Sequence, residues 1–296
     1  MFLPQHKQLR RDPTVNNCKV CTSPIEQITG LQIHPTCELD PAVTAEELFS
    51  LIEGAITNQP RSLQKRIGPS EIGVPCDRRL GYQLSGMTEV NPRGVAWKPY
   101  IGTALHEQFA NIMAKEELAR WDAKQVATRW HVEERVTVGE IGGVSITGSA
   151  DLFDEATGTV FDWKTTSKNQ IRENWRRNGP GPQYRAQAHL YGRGFASQGY
   201  QVLNVALIWL TRDGEWEDRY VWSEPYDEQI AIDALARANA IHTTVELLGP
   251  DVAIPKLATA DVYCRSCPFY RPRAKNAAEG CTGHGTKDPS ETAGNK

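Results

Sequence analysis

The chain has 296 residues, a formal net charge of -3, 40% hydrophobic and 23% charged residues, a composition expected of a soluble globular protein with one sizeable core and a small accessory module. No apolar run approaches the roughly twenty residues of a membrane helix, so no membrane partner is expected. The slightly acidic balance excludes a uniformly basic nucleic-acid coat and requires any nucleic-acid surface to be local.

Cysteines open the chain and close it. There are seven, at positions 18, 21, 37, 76, 264, 267 and 281. With no apolar secretory run near the N-terminus, they predict a reducing, cytoplasmic setting and metal binding in preference to disulfides. Cys18-x2-Cys21, then twelve residues, then His34-x2-Cys37 form a Cys₃His set whose spacing suits tetrahedral zinc. Residues 1–43 are therefore expected to be a zinc-binding module, too short to build an adequate core without the ion. Thr44 to Asn58 reads as an amphipathic helix with Thr44 as N-cap and Glu46 and Glu47 in its first turn. Arg61, Lys65 and Arg66 lead to Cys76, which Arg78 and Arg79 follow.

Tyr100 to Arg120 has helical periodicity, with Ile101, Leu105, Phe109 and Ile112 as an apolar stripe and His106 beside it. A histidine there is either a satisfied core residue or a ligand. Strands are predicted at His131–Val138, Val144–Thr147, Ala150–Phe153 and Thr159–Lys164. The last two form a hairpin around the Asp154 to Gly158 turn, which folds Asp151 back beside Asp162. Alternation along the strand puts Asp162 and Lys164 on one face and Trp163 on the other. Two carboxylates and an ammonium at one place suit Mg²⁺ or Mn²⁺ binding, activation of water and phosphodiester hydrolysis. Asp-x-Lys alone is also an ordinary surface pattern.

Tyr184-x2-Gln187-x3-Tyr191 falls on a predicted helix, where these spacings share one face. Leu203–Thr211 reads as an apolar strand, paired through an Asp213-Gly214 turn with a strand at Glu215–Trp222. Asp227 to Leu248 is a long helix that leads to Cys264-x2-Cys267 and Cys281. With Cys76 these thiols make a four-cysteine set drawn from both ends of the central region, and spacing alone leaves zinc and an iron-sulfur cluster both open. Residues 44–282 form the expected main domain, and residues 283–296 a polar, disordered tail. Arg172, Arg176, Arg177, Arg185, Arg265, Arg271, Arg273 and Lys275 are interleaved with Trp175, Tyr184, Tyr263, Phe269 and Tyr270. This mixture suits phosphate contact with base stacking on single strands.

Gly102-x3-His106, Gly148-Ser149-Ala150-Asp151, Asp162-Trp163-Lys164 and Gln187-x3-Tyr191 occur in the order of the motifs of RecB-like PD-(D/E)XK nucleases, which this chain resembles over most of its length. The resemblance implies an α/β, restriction-endonuclease-like mixed sheet flanked by helices and an iron-sulfur-clamped C-terminal region, following the zinc module that the Cys₃His spacing predicts. It implies a metal held by His106, Asp151, Asp162 and the Trp163 carbonyl, with Lys164 as the catalytic amine and Gln187 and Tyr191 flanking it. Pro69 to Arg79, with one cysteine before the motifs and three after, is similar to the branch that includes CRISPR-associated adaptation nucleases and AddB-like exonucleases. That likeness implies a 4Fe-4S cluster on Cys76, Cys264, Cys267 and Cys281. The expected activity is a DNA exonuclease on single-stranded ends, in phage recombination, repair or CRISPR-type adaptation, with a helicase, recombinase or integrase as partner. The alternative is a nucleic-acid-binding or complex-assembly protein with structural metals and little catalysis.

Overall fold

Three consecutive antiparallel strands and a crossover build the scaffold on which the Asp and Lys residues stand. The computed structural model describes residues 41–58, 67–91, 94–123 and 127–285. The chain divides into two units, Met1–Gln59 and Pro60–Lys296. In the first, helix α1 (Pro41–Thr57) begins before the expected cap at Thr44. The proposed zinc ligands Cys18, Cys21, His34 and Cys37 lie outside the described residues, as do Arg61, Lys65, Arg66 and most of the tail.

In the second unit, short helices α2 (Pro69–Ile72) and α3 (Asp77–Leu84) precede the long α4 (Trp97–Asp122). Strands β1 (Trp130–Ile141), β2 (Val144–Asp154) and β3 (Thr159–Thr166) follow. Helical turns α5 (Lys168–Gln170) and α6 (Arg176–Asn178), joined by a π-helical turn at Ile171–Trp175, lead to α7 (Pro182–Ser197). Then come β4 (Asn204–Thr211), β5 (Tyr220–Pro225), α8 (Glu228–Leu248) and α9 (Pro250–Ala253). The five strands form one sheet in sequence order, antiparallel except for the parallel β3/β4 pair. A parallel neighbour needs a crossover, and the helical segment from Lys168 to Ser197 supplies it. The fold is thus α/β with a mixed sheet flanked by helices, as expected.

Gly142 and Gly143, at φ 58° and 74°, turn β1 into β2, since a two-residue type I′ turn requires positive φ at both positions. The two strands expected at Val144–Thr147 and Ala150–Phe153 are one strand. Gly148 between them is no break: a Cβ there would stand 2.8 Å from Pro69 Cγ and 3.1 Å from Tyr191 Cε1, so the missing side chain lets α2 and α7 approach β2. Glu215–Trp222 is not a strand from its start. Glu215 N–H donates to Asp218 Oδ2 at 2.9 Å, closing a 3₁₀ turn at Trp216–Asp218, and β5 begins only at Tyr220. Asp227 caps α8 by accepting from Gln229 N–H at 2.9 Å.

The core lies where α7 and α8 cover the sheet, with Val136, Val138, Phe153, Phe195, Leu207 and Trp209 buried. The α4 helix packs on β1 to β3 without burying any residue fully, and Ile112 of its expected stripe is 59% exposed. The two coverings are on opposite sides of β3: Phe109 of α4 meets Trp163 at 5.3 Å between ring centroids, whereas Lys164 reaches Gln187 of α7. No helix among the described residues is long and apolar enough to cross a membrane.

Candidate active site

The hairpin places its carboxylates where its own ladder stops. β2 and β3 pair through Leu152↔Phe161, Phe153↔Val160 and Asp154↔Thr159, and the next rung would set Asp151 opposite Asp162. The pairing ends before it, and β3 continues along β4 to Thr166. Into this opening Asp151 turns its side chain, and its Oδ2 accepts from Trp163 N–H at 2.7 Å. Asp151 is 7% exposed and Asp162 2%.

Asp162, Lys164 and Gln187 form a closed set. Lys164 Nζ is paired with Asp162 Oδ2 and donates to Gln187 Oε1 at 3.1 Å, while Gln187 Nε2 donates to Asp162 Oδ1 at 3.0 Å. Strand alternation puts the acid and the amine on one face, and α7 brings the amide from above; Gln187 is itself 5% exposed. Among the described residues, Asp162 Oδ2 meets the Lys164 ammonium and no other donor, so a buried carboxylate oxygen keeps coordinating capacity. Burial pushes the Asp162 carboxyl up to about 6, against the opposing pull of Lys164. Asp154, on the same hairpin and just as buried, goes the other way: hydrogen bonds from Arg129 at 2.9 and 3.1 Å overcome burial and hold its carboxyl low. Asp154 caps the turn and fixes Arg129, a structural task; Asp162 is the carboxylate that the fold leaves under-compensated.

The His106 ring comes from α4, one turn beyond Gly102, whose Cβ position lies 3.4 Å from Thr165 Oγ1 and so allows the helix close to β3. His106 Nδ1 lies 3.2 Å from Asp151 Oδ1. Burial disfavours its imidazolium, but the hydrogen bond and charge of Asp151, with Asp162 behind it, outweigh this and raise its pKa. Sequence reasoning missed a further group. Ligand atoms of His106, Glu133 and Asp151 all lie within 4.8 Å of one another. A mixed set of carboxylate oxygens and one imidazole suits Mg²⁺ or Mn²⁺, so the residues present fit a divalent ion. Tyr191 is buried beside Gly148, at the foot of the strand that carries Asp151.

Aromatic rings wall the lysine. Lys164 Nζ is 5.4 Å from the Tyr184 ring centroid, Tyr184 meets Trp209 edge-on at 5.1 Å, and Trp209 stacks on Trp175 at 4.4 Å. Not every basic residue of the expected cluster is available. Arg185 is tied to Glu224 at 2.5 Å, together with the buried His189, and Arg78 is bound to the Pro255 carbonyl. Arg172 and Arg177 are exposed, and Arg176 lies over the Tyr220 ring at 5.7 Å.

The four cysteines from the two ends of this unit line one pocket, shared with Tyr82, Phe269 and Tyr270. All four are free thiols. Cys76 Sγ accepts from Arg79 N–H at 3.4 Å, Cys264 Sγ from His284 N–H at 3.2 Å, and Cys281 Sγ from Gly283 N–H at 3.4 Å. The thirteen residues between Cys267 and Cys281 return on themselves, because Cys281 N–H donates to the Phe269 carbonyl at 2.7 Å and Arg271 N–H to the Cys281 carbonyl at 2.8 Å. Burial pushes the Cys267 thiol pKa up.

No curated protein matches the chain significantly. Among solved structures, a protein designated SSO0001 is similar at 17% identity and TM-score 0.39, over 76% of this chain and 94% of that one. An alkaline exonuclease from Laribacter hongkongensis is similar at 11% identity and TM-score 0.38, over 62% of this chain and 89% of its own. Its complex with dAMP gives 13% identity and TM-score 0.37, over 62% of this chain and 89% of that one. At such values the likeness is too distant to assign a substrate. The family model does more: residues 77–271, well over half of the chain, match it, a span that holds His106, Asp151, Asp162, Lys164 and Gln187. This chain belongs to the PD-(D/E)XK nuclease superfamily.

Proposed function

We propose that the protein is a divalent-metal-dependent deoxyribonuclease that acts as an exonuclease on single-stranded DNA ends. The observation that carries this reading is the closed set of Asp162, Lys164 and Gln187 beside His106 and Asp151. His106, Asp151, Asp162 and the Trp163 carbonyl are the groups that would hold Mg²⁺ or Mn²⁺. When bound, such an ion polarises the scissile phosphate and lowers the pKa of water.

The chain's own residues do the rest. Gln187, hydrogen-bonded to both, keeps the Lys164 ammonium and the Asp162 carboxylate in register. Lys164 donates toward the attacking water and offsets negative charge that develops on the phosphoryl oxygens. Asp151, fixed by the Trp163 N–H, keeps its Oδ1 toward His106. Tyr184 and Trp175, with Arg176 and Arg177 nearby, suit a strand whose bases stack while its phosphates meet guanidinium groups.

The four-cysteine pocket is proposed as a 4Fe-4S site that staples the segment around Cys76 to the one from Cys264 to Cys281. Support comes from four thiols on one pocket and from N–H groups donating to the sulfurs, an arrangement that stabilises cluster thiolates. Zinc on the same thiols is the competing outcome. The Cys₃His set at 18, 21, 34 and 37 is proposed as a separate zinc site on its spacing. Degradation of end-labelled and circular single-stranded DNA by anaerobically purified protein tests the reading. Loss of the labelled strand with the circle intact supports an exonuclease; cleavage of the circle would replace that reading with an endonuclease.

A further inference from the structure

The β1–β2 ladder carries one irregularity at the site. Val132 pairs with Leu152 and Glu134 with Ala150, so Glu133 stands opposite Asp151, yet this rung is missing. Glu133 has φ 51°, a left-handed conformation that a non-glycine residue rarely adopts inside a strand. Ser149 Oγ donates to the Glu133 carbonyl at 2.7 Å and holds the kink. Strain of this kind persists only where the surroundings over-determine it, and it clusters at functional sites. Here it accompanies a specific placement, since the Glu133 carboxylate joins His106 and Asp151 within 4.8 Å.

The burial of the three residues is graded. Asp151 is buried, His106 half-buried and Glu133 exposed, so the group opens outward and leaves coordination positions for water and a substrate phosphate. Asp162, buried deeper, also meets Lys164 and Gln187. A site served by Asp151 and Asp162 from inside the sheet therefore has a further oxygen donor on its solvent side.

We infer that Glu133 is a ligand of the catalytic divalent ion, reached by the αL kink in β1 and acting with His106 and Asp151. This rests on the nuclease reading, and the test separates the two. Mn²⁺ binding to the full chain is measured by titration calorimetry and by loss of the free Mn²⁺ EPR signal, for wild type, Glu133→Gln and Glu133→Gly. Glycine takes positive φ without strain, so it removes the carboxylate while keeping the kink, and unfolding in EDTA verifies that each variant is folded. Both variants should bind Mn²⁺ about tenfold or more weakly than wild type, a loss of the size seen when groups around a metal are removed. If wild type binds Mn²⁺ and cleaves DNA while either folded variant keeps wild-type affinity, this inference is overturned and the nuclease reading stands. If wild type binds no Mn²⁺ and cleaves nothing, both are overturned.

Discussion

Replacing Asp162 with Asn should change how stability depends on pH, and the sign follows from the burial of the carboxyl. Asp162 rises from its ordinary 3.8 to about 6 because burial outweighs the Lys164 ammonium. In metal-free protein the native state thus holds this proton more tightly than the unfolded chain does. From about pH 4 to about pH 6, stability contributed by this group falls as pH rises, and below about pH 4 the full contribution is present. At ~1.36 kcal/mol per pH unit the contribution is about 3 kcal/mol. Asp162→Asn has no proton to lose there. Urea unfolding in EDTA, followed from about pH 4 to about pH 7, should show wild type losing about 3 kcal/mol relative to the variant across this window. Added Mn²⁺ at about pH 7 should restore wild type and leave the variant less affected, since only the ionised carboxylate is a ligand. Parallel stability curves for the two proteins would refute the claim that Asp162 is a desolvated carboxylate held for a metal.

Other outcomes follow from single contacts. Gly148→Ala places a methyl 2.8 Å from Pro69 Cγ, and this overpacking should destabilise the protein by about 1–3 kcal/mol in urea unfolding and lower cleavage, as Asp151 lies on the same strand. Gln187→Ala leaves Asp162 and Lys164 without their shared amide and should lower cleavage about 10–100-fold in a timed nuclease assay, with the fold kept. Cys267→Ser should remove iron and sulfide from anaerobically purified protein and lower Tm; a variant with full cluster content would contradict the four-thiolate site.

The parts of the fold set by local chemistry were legible in the sequence. Alternation in Thr159–Lys164 and the polar turn at Asp154 to Gly158 carry the register that puts Asp151 beside Asp162. The three-residue spacing of Tyr184 and Gln187 carries the helix face at Lys164, while Tyr191, four residues on, meets β2 at Gly148. Less visible were features decided by distant contacts. Gly148 resembles a strand break, but its role is to admit Pro69 and Tyr191. Glu215 begins an apparent strand, but its hydrogen bond to Asp218 closes a turn first. Glu133 resembles an outward charge on an alternating strand, and nothing in its neighbours signals the positive φ that brings it to His106 and Asp151. The apolar stripe of α4 indicates a helix but not how shallowly it sits, which depends on the sheet beneath it.

The central claim is that Lys164, held by Asp162 and Gln187, serves a metal-dependent hydrolysis of DNA. The most direct measurement is cleavage of end-labelled single- and double-stranded DNA by wild type and Lys164→Ala, each with Mg²⁺, Mn²⁺ or EDTA. The account predicts metal-dependent cutting by wild type, none in EDTA, and loss of cutting in a variant that still folds and binds Mn²⁺; undiminished cutting by Lys164→Ala would contradict it.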